Sequence, residues 1–175
     1  MNRTVLQTSR RRAALPSNGF TLMELLIVIA IILILMLMAI PTIGSLRKSA
    51  NRTSAINSVQ TIHKAEVQYS NDYPASGFAC SLAQLGGDPN AGGPSPAGAQ
   101  ILQGDIVSGY KSGYIISITC KNKITVNGVD RATSYMVTAV PQTLGKTGDV
   151  GFCSDEGGVI KYDPAGGTNC TQLLQ

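Results

Sequence analysis

The hydrophobic and polar positions divide the chain into three regimes. Residues 25 to 46 form 22 positions without a formal charge, between Glu24 and Arg47. As one helix they would span about 33 Å, close to the hydrocarbon thickness of a bilayer. From Arg47 the pattern changes. Ile56, Val59, Ile62, Ala65, Tyr69 and Tyr73 recur at spacings of three and four, with Arg52, Asn57, Lys64 and Gln68 falling largely between them. That period predicts an amphipathic helix laying one stripe on a core. Asp72-Tyr73-Pro74 ends it, because the residue before proline avoids the helical region. A single helix over residues 20 to about 72 is therefore expected, roughly 80 Å long, with half of it outside any membrane. Pro41 and Gly44 lie inside it and mark a point where it should kink.

The third regime is irregular, then alternating. Residues 74 to 111 carry little periodic signal, and Gly86 to Pro96 has the composition of a loop. Strand signals follow at Tyr114–Thr119, Lys123–Val126, Ser134–Val140, Val150–Cys153 and Val159–Tyr162. Asn127-Gly128 is a tight-turn dipeptide, and Asp155-Glu156-Gly157-Gly158 predicts a final hairpin. The expected fold class is α+β: a long N-terminal helix, half membrane-type and half amphipathic, packed on a small antiparallel sheet.

Charge changes the picture only at the N-terminus. The chain carries 14 basic and 10 acidic residues. Arg3, Arg10, Arg11 and Arg12 all precede Phe20, and without those four the remainder is balanced. The excess therefore does not point to nucleic acid, which is not expected as a partner. It follows the positive-inside rule and places the N-terminus in the cytoplasm. A removed secretory signal would show a shorter apolar core, although Ala39 to Ser45 resembles a weak cleavage site. A plain signal anchor fits the orientation and length but leaves the carboxylate of Glu24 unexplained.

Cys80, Cys120, Cys153 and Cys170 lie beyond the apolar run, which places them on the translocated, oxidising side. Four cysteines allow three pairings. The un-nested one with the shortest loops, Cys80–Cys120 and Cys153–Cys170, is expected, the second contributing on the order of 3 kcal/mol. A metal centre is not expected: no pair has CxxC spacing, and the single histidine, His63, lies far upstream. Asp149, Asp155, Glu156 and Asp163 cluster in sequence around the last hairpin, but their spacing is not that of a calcium loop. Neither a catalytic set nor a cofactor motif emerges. The glycine-rich loop lacks a phosphate-loop lysine, and His63 has no evident nucleophile or acid beside it. Asn2-Arg3-Thr4, Asn51-Arg52-Thr53 and Asn169-Cys170-Thr171 match the glycosylation triplet, a pattern that arises readily by chance.

What remains is Gly19-Phe20-Thr21-Leu22-Met23-Glu24 at the head of the apolar run. Over residues 17 to about 45 the sequence resembles the prepilin N-terminus of type IV pilins and type II secretion pseudopilins. Gly stands before Phe, Thr follows, Glu lies four residues beyond Phe, and an apolar helix continues through Pro41. Beyond that the resemblance is architectural: a long helix, a variable loop, an antiparallel sheet and a C-terminal cysteine pair.

The resemblance implies a removed leader at 1–19, a transmembrane and filament-core helix at 20–46, its amphipathic continuation at 47–73, and a globular head at 74–175. A prepilin peptidase would cut between Gly19 and Phe20 on the cytoplasmic side and methylate the new Phe20 amine. Glu24 of one subunit would neutralise that amine in a neighbour inside an apolar filament core, setting axial register. Heterologous contacts of this kind repeat into an open helical filament. The implied partners are further copies of the chain, the peptidase and an inner-membrane assembly platform. The implied location is the bacterial inner membrane, then an extracellular pilus or a periplasmic pseudopilus. The chain has no Trp, so tryptophan-containing motifs associated with the major pseudopilin are absent. With the C-terminal cysteine loop, this favours a non-enzymatic pilus subunit over a pseudopilin. A minor pilin whose head binds a ligand or DNA is the third reading.

Overall fold

The computed structural model describes residues 19–88, 90 and 92–174, with the side chains of residues 38–42 outside that description. The basic segment holding Arg3, Arg10, Arg11 and Arg12, the Asn2-Arg3-Thr4 triplet and the rest of the leader before Gly19 lie outside the described residues. Helix α1 runs Leu22–Asp72 without a break in its helical backbone at Pro41 or Gly44. The chain divides into two units between Ile40 and Pro41.

In the first unit, the large apolar side chains from Leu22 to Leu37 are exposed all round the helix. No face is spared, as the sequence pattern requires. Such a surface is unfavourable in water by about 1.5–3 kcal/mol for each large side chain left uncovered. Among the described residues no helix is long and apolar enough to cross a membrane.

The second unit is a helix-on-sheet structure. Six strands follow one another as an antiparallel meander in the order β1 to β6. They are β1 (Tyr110–Lys111), β2 (Tyr114–Val126), β3 (Val129–Pro141), β4 (Gly151–Asp155), β5 (Lys161–Asp163) and β6 (Gln172–Leu173). Ala55, Val59, Ile62, Ala65 and Tyr69 of α1 are buried with Tyr114, Ile116, Ile118, Tyr135, Val137, Ala139 and Phe152 of the sheet. The helical period of three and four thus meets the strand period of two in one core. Ile56 and Tyr73, the flanks of the stripe, are only partly buried.

The sheet differs from the sequence pattern in strand number. The two segments expected at Tyr114–Thr119 and Lys123–Val126 are one strand, because register shifts between Cys120 and Lys123 absorb the irregularity without ending the ladder. Asn127 and Gly128 both have positive φ, 52° and 78°, and close the β2–β3 hairpin in two residues. Residues 74 to 111 contain a helix α2 (Leu82–Gly86), a 3-10 turn at Gly104–Ser108 and strand β1. Helix α2 is capped by its own side chains: Ser81 Oγ accepts the Gln84 N–H at 3.3 Å, while Gln84 Oε1 accepts the Cys80 N–H at 2.6 Å. Strand β6 is too short to leave a pattern.

Two disulfides close the head. Cys80 is joined to Cys120, with Cα atoms 5.0 Å apart, and Cys153 to Cys170, with Cα atoms 5.9 Å apart. The first ties the segment before α2 to β2; the second ties the C-terminal segment to β4.

Candidate processing and assembly site

The N-terminus of α1 is built by the residues that the sequence singles out. Thr21 sits immediately before the first helical residue, Leu22. Its hydroxyl accepts the Glu24 N–H at 3.2 Å, and Glu24 Oε2 accepts from the Thr21 hydroxyl at 3.3 Å and the Thr21 N–H at 3.4 Å. This is a reciprocal capping box, which satisfies donors that a helix start leaves without partners. The carboxylate also lies in the first turn, where the helix dipole favours negative charge. The Thr-x-x-Glu spacing encodes this local role, which reading Glu24 as a charge without a nearby partner overlooks.

Gly19 and Phe20 precede the helix and are exposed. A Cβ built on Gly19 meets no atom within 4 Å, and its backbone is not left-handed. Nothing in the fold of the described chain demands glycine there. Phe20 is 87 % exposed, so its ring makes no core contribution. The two residues form an exposed non-helical strip ahead of a capped apolar helix.

In the head, Asp149, Asp155 and Asp163 are committed to structure. Asp149 pairs with Lys48 at 2.9 Å. Asp155 lies 3.7 Å from Lys161 and accepts the Gly157 N–H at 3.0 Å. Asp163 accepts the Ala165 and Asn169 N–H groups at 2.9 and 3.0 Å. Among the described residues no three His, Cys, Asp or Glu side chains group to hold a metal ion. Asn51 donates its side-chain amide to the Thr147 carbonyl at 2.8 Å, which occupies one glycosylation triplet.

His63 does find a partner, the Tyr135 hydroxyl, 2.7 Å from its Nδ1. Burial raises the Tyr135 phenol above its ordinary value, and Glu66, Glu156 and Asp155 push in the same direction. A phenol so held is a hydrogen-bonding group and not a base. Glu66 carries no signal of its own in the sequence, because a carboxylate at a helical core position reads as a polar interruption. Its place on the buried stripe between Ile62 and Tyr69 was nevertheless available from the helical period.

Residues 16–40 match the family model described as the prokaryotic N-terminal methylation motif. The chain thus carries the prepilin-type motif of type IV pilins and pseudopilins, and its α+β architecture is pilin-like. No curated protein and no solved structure matches the chain. The motif implies processing by a prepilin peptidase, anchoring in the inner membrane beforehand, and assembly into a pilus-like polymer. The motif supports membership of the type IV pilin or pseudopilin family and suggests a structural role.

Proposed function

We propose that this chain is a structural subunit of a type IV pilus-like filament, cut between Gly19 and Phe20 and methylated on the new amine. The observation that carries the reading is the methylation motif at residues 16–40 opening a helix whose large apolar side chains are exposed on every side. Only lipid or other copies can cover such a helix, and a filament core supplies the second after a membrane has supplied the first. Glu24 has two successive roles in this account. It caps its own helix through Thr21 in the unprocessed chain, and it neutralises the Phe20 amine of a neighbouring copy after cleavage. A buried carboxylate without such a counter-ion would cost several kcal/mol.

The proposed divisions are a leader at 1–19, a membrane and filament-core helix at 20–46, its amphipathic half at 47–73, and a head at 74–175. Pro41 is the proposed point of flexion. The proposed partners are copies of the chain, the prepilin peptidase and an inner-membrane platform. The absence of Trp and the disulfide-closed C-terminus favour a surface pilus over a periplasmic pseudopilus.

Mass spectrometry on filaments sheared from cells tests the reading. The expected subunit begins at methylated Phe20. A chain recovered only from the membrane, with its leader intact beside active peptidase, would overturn it. Loss of protein secretion with surface filaments intact in a deletion strain would move the assignment to a pseudopilin.

A further inference from the structure

Glu66 is the anomaly of the head. It is wholly buried on the core face of α1. Its Oε2 accepts the Ala79 N–H at 2.8 Å, and among the described residues its Oε1 has no hydrogen-bond partner. An ionised carboxylate has room for about four hydrogen bonds, and this one receives a single neutral donor. A buried charge in that position costs far more than a buried neutral acid.

Among the described residues, the groups around it offer no fixed cation. Along α1 stand His63 and Tyr69, and across the core stands Tyr135 of β3. Asp155 and Glu156, at the end of β4, act on Tyr135 in the same sense as Glu66. His63 is the one member of this group able to become positive, and its Nδ1 is engaged with the Tyr135 hydroxyl. Burial pushes Glu66 up from the ordinary carboxylate value to about 7, against the smaller opposing pull of the Ala79 N–H.

Ala79 is a consequential contact. Its N–H is the link between α1 and the segment that leads into α2. That segment is also anchored by the neighbouring Cys80–Cys120 disulfide, by the Phe78 N–H bonded to the Ala132 carbonyl at 3.1 Å, by Leu82 and Leu85 buried in the core, and by the Gln84 and Leu85 carbonyls, which accept from the Ala99, Ile101 and Leu102 N–H groups. We infer that Glu66 is a proton-operated latch: the neutral acid is accommodated in the closed core beside Ala79, whereas the ionised carboxylate, with its Oε1 lacking a donor, draws in water and opens the core locally around Ala79, although the charge strengthens the single Ala79 hydrogen bond. The disulfide and the core contacts of Leu82 and Leu85 keep the segment in place, so the change is local opening at Ala79 and not unfolding. In the proposed reading the head lies outside the cytoplasm, where pH follows the surroundings, but the latch does not depend on that reading.

The sign follows from the raised folded value. The neutral acid favours the closed head fully below about pH 4.5, the unfolded value, and this advantage is lost as pH rises toward 7. The test uses the full chain in detergent micelles, following the Glu66 carboxyl carbon and Ala79 amide exchange by NMR between pH 4.5 and 8. The expected result is a carboxyl midpoint near 7. Ala79 protection, corrected for intrinsic exchange, should fall by on the order of 100-fold over the same window. Glu66→Gln should flatten that dependence, and His63→Gln should leave it in place. A carboxyl midpoint in the ordinary range would overturn the latch. So would a Glu66→Gln chain with the original slope, or a His63→Gln chain without one. If Glu66→Gln does not fold, the carboxyl titration of the unaltered chain decides alone.

Discussion

Thr21 and Glu24 hold each other across the first turn of α1: the Thr21 hydroxyl receives the Glu24 N–H at 3.2 Å, and the Glu24 carboxylate receives the Thr21 hydroxyl at 3.3 Å. The acid thus has a helix-capping role within one chain, separate from any charge it offers a neighbour. Substitution can part the two. Glu24→Gln keeps an acceptor at the same place and removes the charge. Thr21→Ala keeps the charge and removes the cap, at a cost of about 0.5–2 kcal/mol to the helix start. If the charge sets the register between copies, Glu24→Gln should lower sheared-filament yield by well over tenfold, since losing one partner of a buried pair costs about 3–5 kcal/mol. Thr21→Ala should assemble at near-normal yield. Immunoblots of membrane and sheared fractions measure both, and the reverse ranking would assign Glu24 to capping alone.

Gly19 has open space around its Cα, so its replacement should be silent for folding. Gly19→Ala and Gly19→Val should give chains with the melting temperature of the original. Cleavage, by contrast, requires the peptidase to accept the backbone at this residue, and the added Cβ should block it. Intact mass in cells with active peptidase is the readout. The expected product retains residues 1–19, is membrane-bound, and is missing from surface filaments. Normal cleavage of the valine variant would count against Gly19–Phe20 as the processed bond.

The sequence made the long elements legible and the short ones not. The stripe from Val59 to Tyr69 repeats over several turns, so the helical period outweighs local noise, and the same residues are buried. The Asn127-Gly128 turn carries its own conformational demand, and both residues have positive φ. Strands β1 and β6 have two residues each and no period to detect. The merging of two segments into β2 depends on a bulge near Cys120, which is fixed by pairing to β3 and not by local propensity. Glu24 stands out in the sequence because it opens an otherwise uniform run. Its cap with Thr21 is encoded by the Thr-x-x-Glu spacing, a weaker signal than a lone charge at the head of an apolar run. Glu66 had no such contrast: its burial depends on the sheet and on Ala79, which arrive later in the chain.

The Cys153–Cys170 bond closes a short loop with a sequence separation of 17 and holds the C-terminal segment to β4. In that loop Asp163 gathers two backbone N–H groups, and Cys153 itself pairs with Thr138 and Lys161 in the sheet. Paired replacement of Cys153 and Cys170 by Ser should cost on the order of 3 kcal/mol, mostly by freeing the unfolded chain. Thermal melts of the variant and the original under non-reducing conditions measure the loss. Exchange should rise first at the β5–β6 pairing, where Lys161 and Tyr162 face Leu173 and Gln172. An unchanged melt would mean that the hydrogen bonds of Asp163 hold the loop without the bond.

Pro41 and Gly44 carry opposite implications for stability and for function. Proline inside a helix removes a donor and costs about 3 kcal/mol, and glycine costs about 1 kcal/mol relative to alanine. A Cβ at Gly44 meets nothing within 4 Å, so alanine is sterically free there. Pro41→Ala with Gly44→Ala should therefore strengthen α1, with amide exchange between residues 37 and 46 slowed in micelles. If assembly requires the helix to yield between its membrane half and its head half, that gain is a defect: filament yield should fall although the chain is more stable, cleaved normally and inserted normally. Slower exchange with unchanged yield would show that the two residues are tolerated in α1 and not used. Restored yield on returning proline alone would place the flexion at Pro41 and leave Gly44 as a packing-neutral residue.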